Sequence, residues 1–146
     1  MKYALKIEGE TEEQKIIDIS ETETIIKKVD FEIFQSEKTV NDRSENLLHA
    51  VSIEGVLTDK SQKQTKELLE WSKKTNKVDV YKTVSIKVYL QEEKIRDYYM
   101  KNMFCVSYQE VFNEYIKNNE ESKESIGKFI LKMKQRSDSI ETIKVE

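Results

Sequence analysis

Residues 61–76 read SQKQTKELLEWSKKTN. This is the stretch that combines a helix start, a helical period and a helix stop. Ser61 followed three residues later by Gln64 has the spacing of a capping box, each side chain serving a free N–H of the first turn. Leu68, Leu69, Trp71 and Ser72 fall on one side, which leaves Lys66, Glu70, Lys73 and Lys74 to water. Lys73 and Lys74 suit the negative end of the helix dipole, and Asn76 tolerates the left-handed turn that closes a helix. The spacing predicts one helix over about 62–75.

The stretches on either side read as strands. Toward the N-terminus, Leu47, His49, Val51, Ile53 and Leu57 share one face of a strand. Before it, residues 36–46 (SEKTVNDRSEN) contain almost nothing to bury and exceed the usual connection length, so they read as an exposed functional or interface loop. Val29, Phe31 and Ile33 alternate with Asp30 and Glu32. Residues 15–19 make a short strand, and Tyr3, Leu5 and Ile7 alternate with Lys2, Lys6 and Glu8.

Toward the C-terminus, residues 78–81 restart β-structure. Val84, Ile86, Val88 and Leu90 then alternate with Ser85, Lys87 and Gln91, and residues 91–94 form a turn. Residues 95–112 are too long for one flat strand. A bulge near Lys101-Asn102 would let Phe104, Val106, Tyr108 and Phe112 share a buried face. After a charged loop, Phe129, Leu131 and Met133 point inward from the last core strand. Lys128, Lys132, Lys134 and Arg136 point outward. Residues 139–146 read as a tail that needs a partner to become ordered. The expected architecture is mainly β: a barrel or sandwich of about seven to eight antiparallel strands with one short α-helix. A single domain over 1–136 and a tail over 137–146 are expected.

Composition narrows the function. The 146 residues include 25 basic and 28 acidic side chains, a net charge of −3, which offers no general attraction to phosphate and argues against a nucleic-acid partner. There is no proline, and the glycines number three, Gly9, Gly55 and Gly127, too isolated for a phosphate-cradling loop. One cysteine, Cys105, cannot build an intrachain disulfide framework or a thiolate metal cluster. No metal or other cofactor is expected. No segment reaches the ~18 apolar residues of a membrane span, and no signal peptide is visible. Assembly in the cytoplasm without a membrane partner is therefore expected.

His49 and Cys105 are the residues that could form an activated thiolate pair. They lie in opposite registers, however, with His49 on an apolar face and Cys105 opposite Phe104 and Val106. Acidic doublets such as Glu92-Glu93 sit in turns and carry no catalytic signal. Tyr98-Tyr99 and nearby basic residues fit aromatic positions at an interface better than a nucleic-acid patch. Phe34, Leu48, Ala50, Met103 and Ile130 place apolar groups on nominally outer faces, as a subunit of an assembly requires. Asp30, Glu32 or Glu110 could lie opposite the outward basic row of the last strand.

The order of elements then carries a resemblance. A strand over residues 50–57 runs into a helix containing ELLEW (67–71), followed by VDVYK (78–82), FCVSYQEVFNE (104–114), a charged loop and GKFILKMKQR (127–136). This order resembles the tail-tube fold shared by the Hcp (TssD) tube protein of type VI secretion systems, contractile-phage tail tubes and related injection systems. The resemblance implies a non-enzymatic subunit of a hexameric ring that stacks into, or initiates, an inner tube. Sheath, baseplate or effector proteins are its implied partners, and secretion or incorporation into a phage-like particle its implied fate. The loop over 36–46 would reach a neighbouring ring. Taken together, the expected subunit-interface residues are Phe34, Lys38, Asn41, Asp42, Arg43, Ile130, Lys132, Lys134 and Arg136. The competing expectation is a monomeric β-barrel binding or adaptor module. Scarce glycines and the tail after Ser137 depart from the family's usual pattern.

Overall fold

The computed structural model describes residues 1–9, 16–19, 25–35, 47–58, 61–75, 77–113, 125–136 and 144–145. In chain order the elements are β1 (Lys2–Glu8), β2 (Ile17–Asp18), β3 (Ile26–Gln35), β4 (Leu47–Thr58), α1 (Gln62–Ser72), α2 (Lys77–Val80), β5 (Lys82–Leu90), β6 (Glu93–Phe112), β7 (Ser125–Gln135) and β8 (Lys144–Val145). The strands form one antiparallel sheet in the order β2-β1-β5-β6-β7-β4-β3, with β8 added to β6. The mainly β expectation therefore holds.

β6 makes a barrel-like wrap possible. Its 20 residues pair with β5 along the first half and with β7 along the second, and Met103 is partnered by both Lys82 and Gln135. The bulge expected near Lys101-Asn102 is present: an extra β6 residue lies opposite the step from Lys82 to Val84. Asn102 there has φ 58°, a left-handed conformation that asparagine tolerates. A second bulge between Cys105 and Ser107 leaves Val106 out of register. These bends let the two halves of the sheet enclose one core. Leu5, Ile7 and Ile86 from one half meet Val51, Ile53, Phe129 and Leu131 from the other, all buried. Across the seam Phe31 of β3 stacks on Tyr98 of β6 with ring centroids 4.0 Å apart.

The second bulge corrects the sequence reading of β6. Cys105, ahead of the bulge and opposite Met133, faces the core; the extra residue at Val106 then leaves Tyr108, opposite Leu131, on the inward side as expected. Val106 is left 47% exposed, and Phe112, past the rim, is 65% exposed. Met103, expected on an outer face, is fully buried. Ile33, expected inside, is exposed near the open end of the edge strand β3.

Helix α1 forms where expected and packs on β6, β2 and β4 through Thr65, Leu68 and Trp71. Its details differ. Ser61 makes no side-chain cap: its hydroxyl instead accepts the Thr58 N–H at 2.9 Å, sealing the turn from β4. The helix ends at Ser72, so Lys73 is its C-cap and not part of the last turn. Leu69 lies on the exposed side. Residues 78–81 are expected as strand; instead Lys77–Val80 form the helical turn α2, whose Val80 carbonyl accepts the Trp71 indole N–H at 2.9 Å. The buried tryptophan thus needs this turn as its hydrogen-bond partner. The expected order–disorder behaviour of the tail has a different complexion: Lys144 and Val145 pair with Tyr99 and Tyr98 of the same chain.

Candidate assembly face

β7 is the middle of the surface in question. Its alternation buries Phe129, Leu131 and Met133 and turns Lys128, Ile130, Lys132 and Lys134 outward, as its sequence requires. Antiparallel registers carry the pattern across the sheet. Lys132 lies opposite Ser52 of β4, which lies opposite Asp30 of β3. One step along, Lys134 lies opposite Ala50, which lies opposite Glu32. The result is a groove of about 420 Å³ with an acidic wall on β3, a basic wall on β7 and small residues on the β4 floor. The walls stand two strand spacings apart, roughly 10 Å, too far for direct ion pairs between them.

The outer face also partners part of its own charge. Lys128 approaches Glu54 at 3.6 Å and Asp30 is paired with Lys28 at 3.5 Å. The Lys134 ammonium sits 5.4 Å from the centre of the Phe34 ring, and the Arg136 guanidinium 4.8 Å from that of Tyr81. Tyr81 in turn meets Phe104 edge-on at 6.1 Å. Leu48, paired with Phe34, is buried despite its outward register.

Of the residues expected at a subunit interface, the fold brings Phe34, Ile130, Lys132 and Lys134 to this one face of β3, β4 and β7, while Arg136, just past β7, lies over Tyr81 beside β6. Lys38, Asn41, Asp42 and Arg43 lie outside the described residues. Asp30 and Glu32 share this outer face with the basic row but stand across β4 from it. Glu110 does not, because the Val106 bulge places it in register with the inward-facing Phe129. A second exposed patch escaped the sequence reading. Leu57, Leu69, Phe112 and Ile126 surround a hollow of about 310 Å³ between α1 and the ends of β6 and β7, with Lys66 and Glu110 at its rim. Leu69 and Phe112, which the sequence pattern assigns to the core, are exposed here.

His49 and Cys105 both point inward but on strands separated by β7, since Val51 and Cys105 both face Met133. His49 is 4% exposed, its Nδ1 is buried without a hydrogen-bond partner among the described residues, and burial pushes its pKa down. Burial pushes the Cys105 thiol up to about 11, so it stays protonated at neutral pH, the reverse of an activated nucleophile. Burial, with the neighbouring Glu110 carboxylate, also raises the Tyr108 pKa.

No protein-family model matches the chain, and no curated protein matches it at a significant level. Solved structures do. A crystal structure of an Hcp protein superposes with a TM-score of 0.60 at 14% identity, over 100% of this chain and 98% of that one. The protein has an Hcp-like tail-tube fold. Hcp1 from Flavobacterium johnsoniae gives a TM-score of 0.53 at 14% identity over 93% of this chain and 91% of its own. A chain of the six-fold-symmetrised baseplate of the anti-feeding prophage gives 0.52 at 10% identity over 99% and 91%. The Hcp-like fold thus spans almost the whole chain, with little sequence in common.

Proposed function

We propose that this protein is a structural subunit of a contractile injection or phage-tail-like system, building or initiating its inner tube as a stacked hexameric ring. The observation that carries the reading is the tail-tube fold over nearly the full chain, shared with Hcp and with an anti-feeding prophage baseplate chain. A protomer of such an assembly needs outward surfaces shaped for other copies, and the groove between Asp30/Glu32 and Lys132/Lys134 has that character. The role is assembly and not catalysis: in this reading His49 and Cys105 are packing residues. Sheath, baseplate and effector proteins are the partners that such a tube would meet.

Light scattering and negative-stain imaging of the purified protein test this directly. Rings or tubes are expected as the concentration is raised. A stable monomer at millimolar concentration would instead favour a free-standing adaptor. Shortening residues 36–46, which carry Lys38, Asn41, Asp42 and Arg43, is expected to leave folded subunits that stack poorly, since loop length itself has little thermodynamic cost. Unchanged filament formation would refute a stacking role for that loop.

A further inference from the structure

Strand β6 carries features of opposite shape at its two ends. At the far end Phe112 is 65% exposed and joins Leu57, Leu69 and Ile126 around the hollow of about 310 Å³ beside α1. At the near end the β5–β6 hairpin projects. Leu90 there continues the inward register of Val84, Ile86 and Val88, but the hairpin overruns the core and leaves it 45% exposed. The turn residues Gln91 and Glu92 and the first β6 residue, Glu93, are exposed as well. Lys82, beside the end of α1 that Trp71 ties to Val80, and Leu90 stand at opposite ends of β5, roughly 26 Å apart at ~3.3 Å per residue. The hairpin tip therefore cannot fill the hollow of its own chain.

Charge separates the two features in the same sense. Glu92 and Glu93 give the tip two carboxylates, and Lys94, the cation beside them, is held by Asp97 at 2.9 Å. Lys66 stands at the rim of the hollow, while Glu110 on that rim lies against the Tyr108 hydroxyl. Among the described residues Glu92, Glu93 and Lys66 make no ion pair within the chain. Gln91 and Glu92 also hold left-handed backbones, φ 51° and 70°, which glycine adopts without strain. At a turn that glycine would suit better, the chain instead presents an acidic side chain.

We infer that the β5–β6 hairpin tip is a knob that docks into the α1–β6–β7 hollow of a second copy of this chain. Leu90 enters the apolar hollow, and Glu92 and Glu93 meet Lys66 at its rim. This rests on the reading above that the protein assembles with itself, and it uses surfaces separate from the β3–β4–β7 groove. Knob and socket differ and lie at opposite ends of one strand, so each copy inserts its knob into one neighbour and receives a knob from another. The contact is heterologous: it runs head to tail and closes only if its rotation returns to the start. An apolar anchor in a pocket with charges around it is the core-and-rim pattern of protein interfaces. One knob covers too little area for stable pairing alone, so it anchors a wider contact.

Cross-linking separates this contact from any other. In a Cys105→Ser background, Leu90→Cys and Leu69→Cys should each stay unlinked alone and form a disulfide-linked pair when mixed under mild oxidation. A chain carrying both should give a ladder of linked species, and in a closed ring the ladder stops at the number of subunits. Association in solution supplies a second measurement, with circular dichroism as the folding control. Leu90→Ser should weaken it by about tenfold or more, the loss expected for one buried leucine. Lys66→Glu, and separately Glu92→Lys with Glu93→Lys, should weaken it by about fivefold or more, since an exposed pair worth up to about fivefold is replaced by repulsion. A one-to-one mixture of these two charge variants should recover the parent's association, because alternating copies again set acid against base, and salt should weaken it. Parent association without the mixed cross-link, self-linking of either single-cysteine protein, or Leu90 and charge variants that associate like the parent would overturn the knob-and-socket contact. Each would assign the hollow to a different protein and leave the tube reading standing. A parent that is monomeric at every concentration would overturn both.

Discussion

Trp71 shows how much one side chain can organise. Its ring is buried at 3% exposure and its N–H is committed to the Val80 carbonyl, so it joins α1 to the turn that leads into β5. Trp71→Ala should cost about 3–5 kcal/mol, read as a fall in the denaturant midpoint. Trp71→Phe should cost less, since it keeps most of the area and loses the hydrogen bond. An unshifted midpoint for the alanine variant would remove α1 from the core. Gly55 is a second sensitive point. A Cβ there would lie 2.5 Å from the Phe129 ring and 2.8 Å from the Ile25 carbonyl, so Gly55→Ala should destabilise by about 1–3 kcal/mol through overpacking. His49 gives a pH signature. The folded state holds its pKa below the ordinary 6.5 through burial. As pH falls from about 6.5 through that lowered value, the unfolded chain takes up the proton first, and stability drops; above 6.5 the contribution is fully present. His49→Phe should flatten the midpoint-against-pH curve between pH 7.5 and 5. A curve that keeps its slope would place the titrating group elsewhere.

Among the elements, alternation is a sound guide along the middle of β5 and of β7, and it fails at Ile33 near the end of the edge strand β3. β5 buries Val84, Ile86 and Val88, and β7 buries Phe129, Leu131 and Met133, just as a period of two demands. Reading failed where one residue was inserted. The Val106 bulge reverses the faces of β6, and nothing in the local pattern FCVSY distinguishes a bulged strand from a straight one. The basic wall was legible because β7 runs straight through it. Its acidic counterpart was only half legible, since strand order had to be known before Asp30 could be set level with Lys132. Turn chemistry supplies an element-scale prediction. Gln91 and Glu92 join β5 to β6 with φ 51° and 70°, the left-handed pair that Asn-Gly adopts more readily. Replacing them by Asn-Gly should raise stability by about 1 kcal/mol or more, given the ~1–2 kcal/mol cost of each left-handed residue. A lowered midpoint would show that these side chains make compensating contacts.

For the molecule as a whole, the strand order has a consequence for how the protein is made. β7 is the last long strand in the chain, yet it lies between β4 and β6. While residues after Phe112 are still being added, both neighbours present bare edges, and Phe129, Leu131 and Met133 are missing from the interior. Synthesis at ~5–20 residues per second leaves that interval open for about one to five seconds between the ends of β6 and β7. The nascent chain is then a sheet with a slot in its centre, and the strand that fits the slot is the one any other copy emerging nearby could also supply. On a crowded polysome the correct ending and a strand exchanged between neighbouring chains compete for the same slot, so the spacing of ribosomes on the message would influence the yield of properly closed subunits.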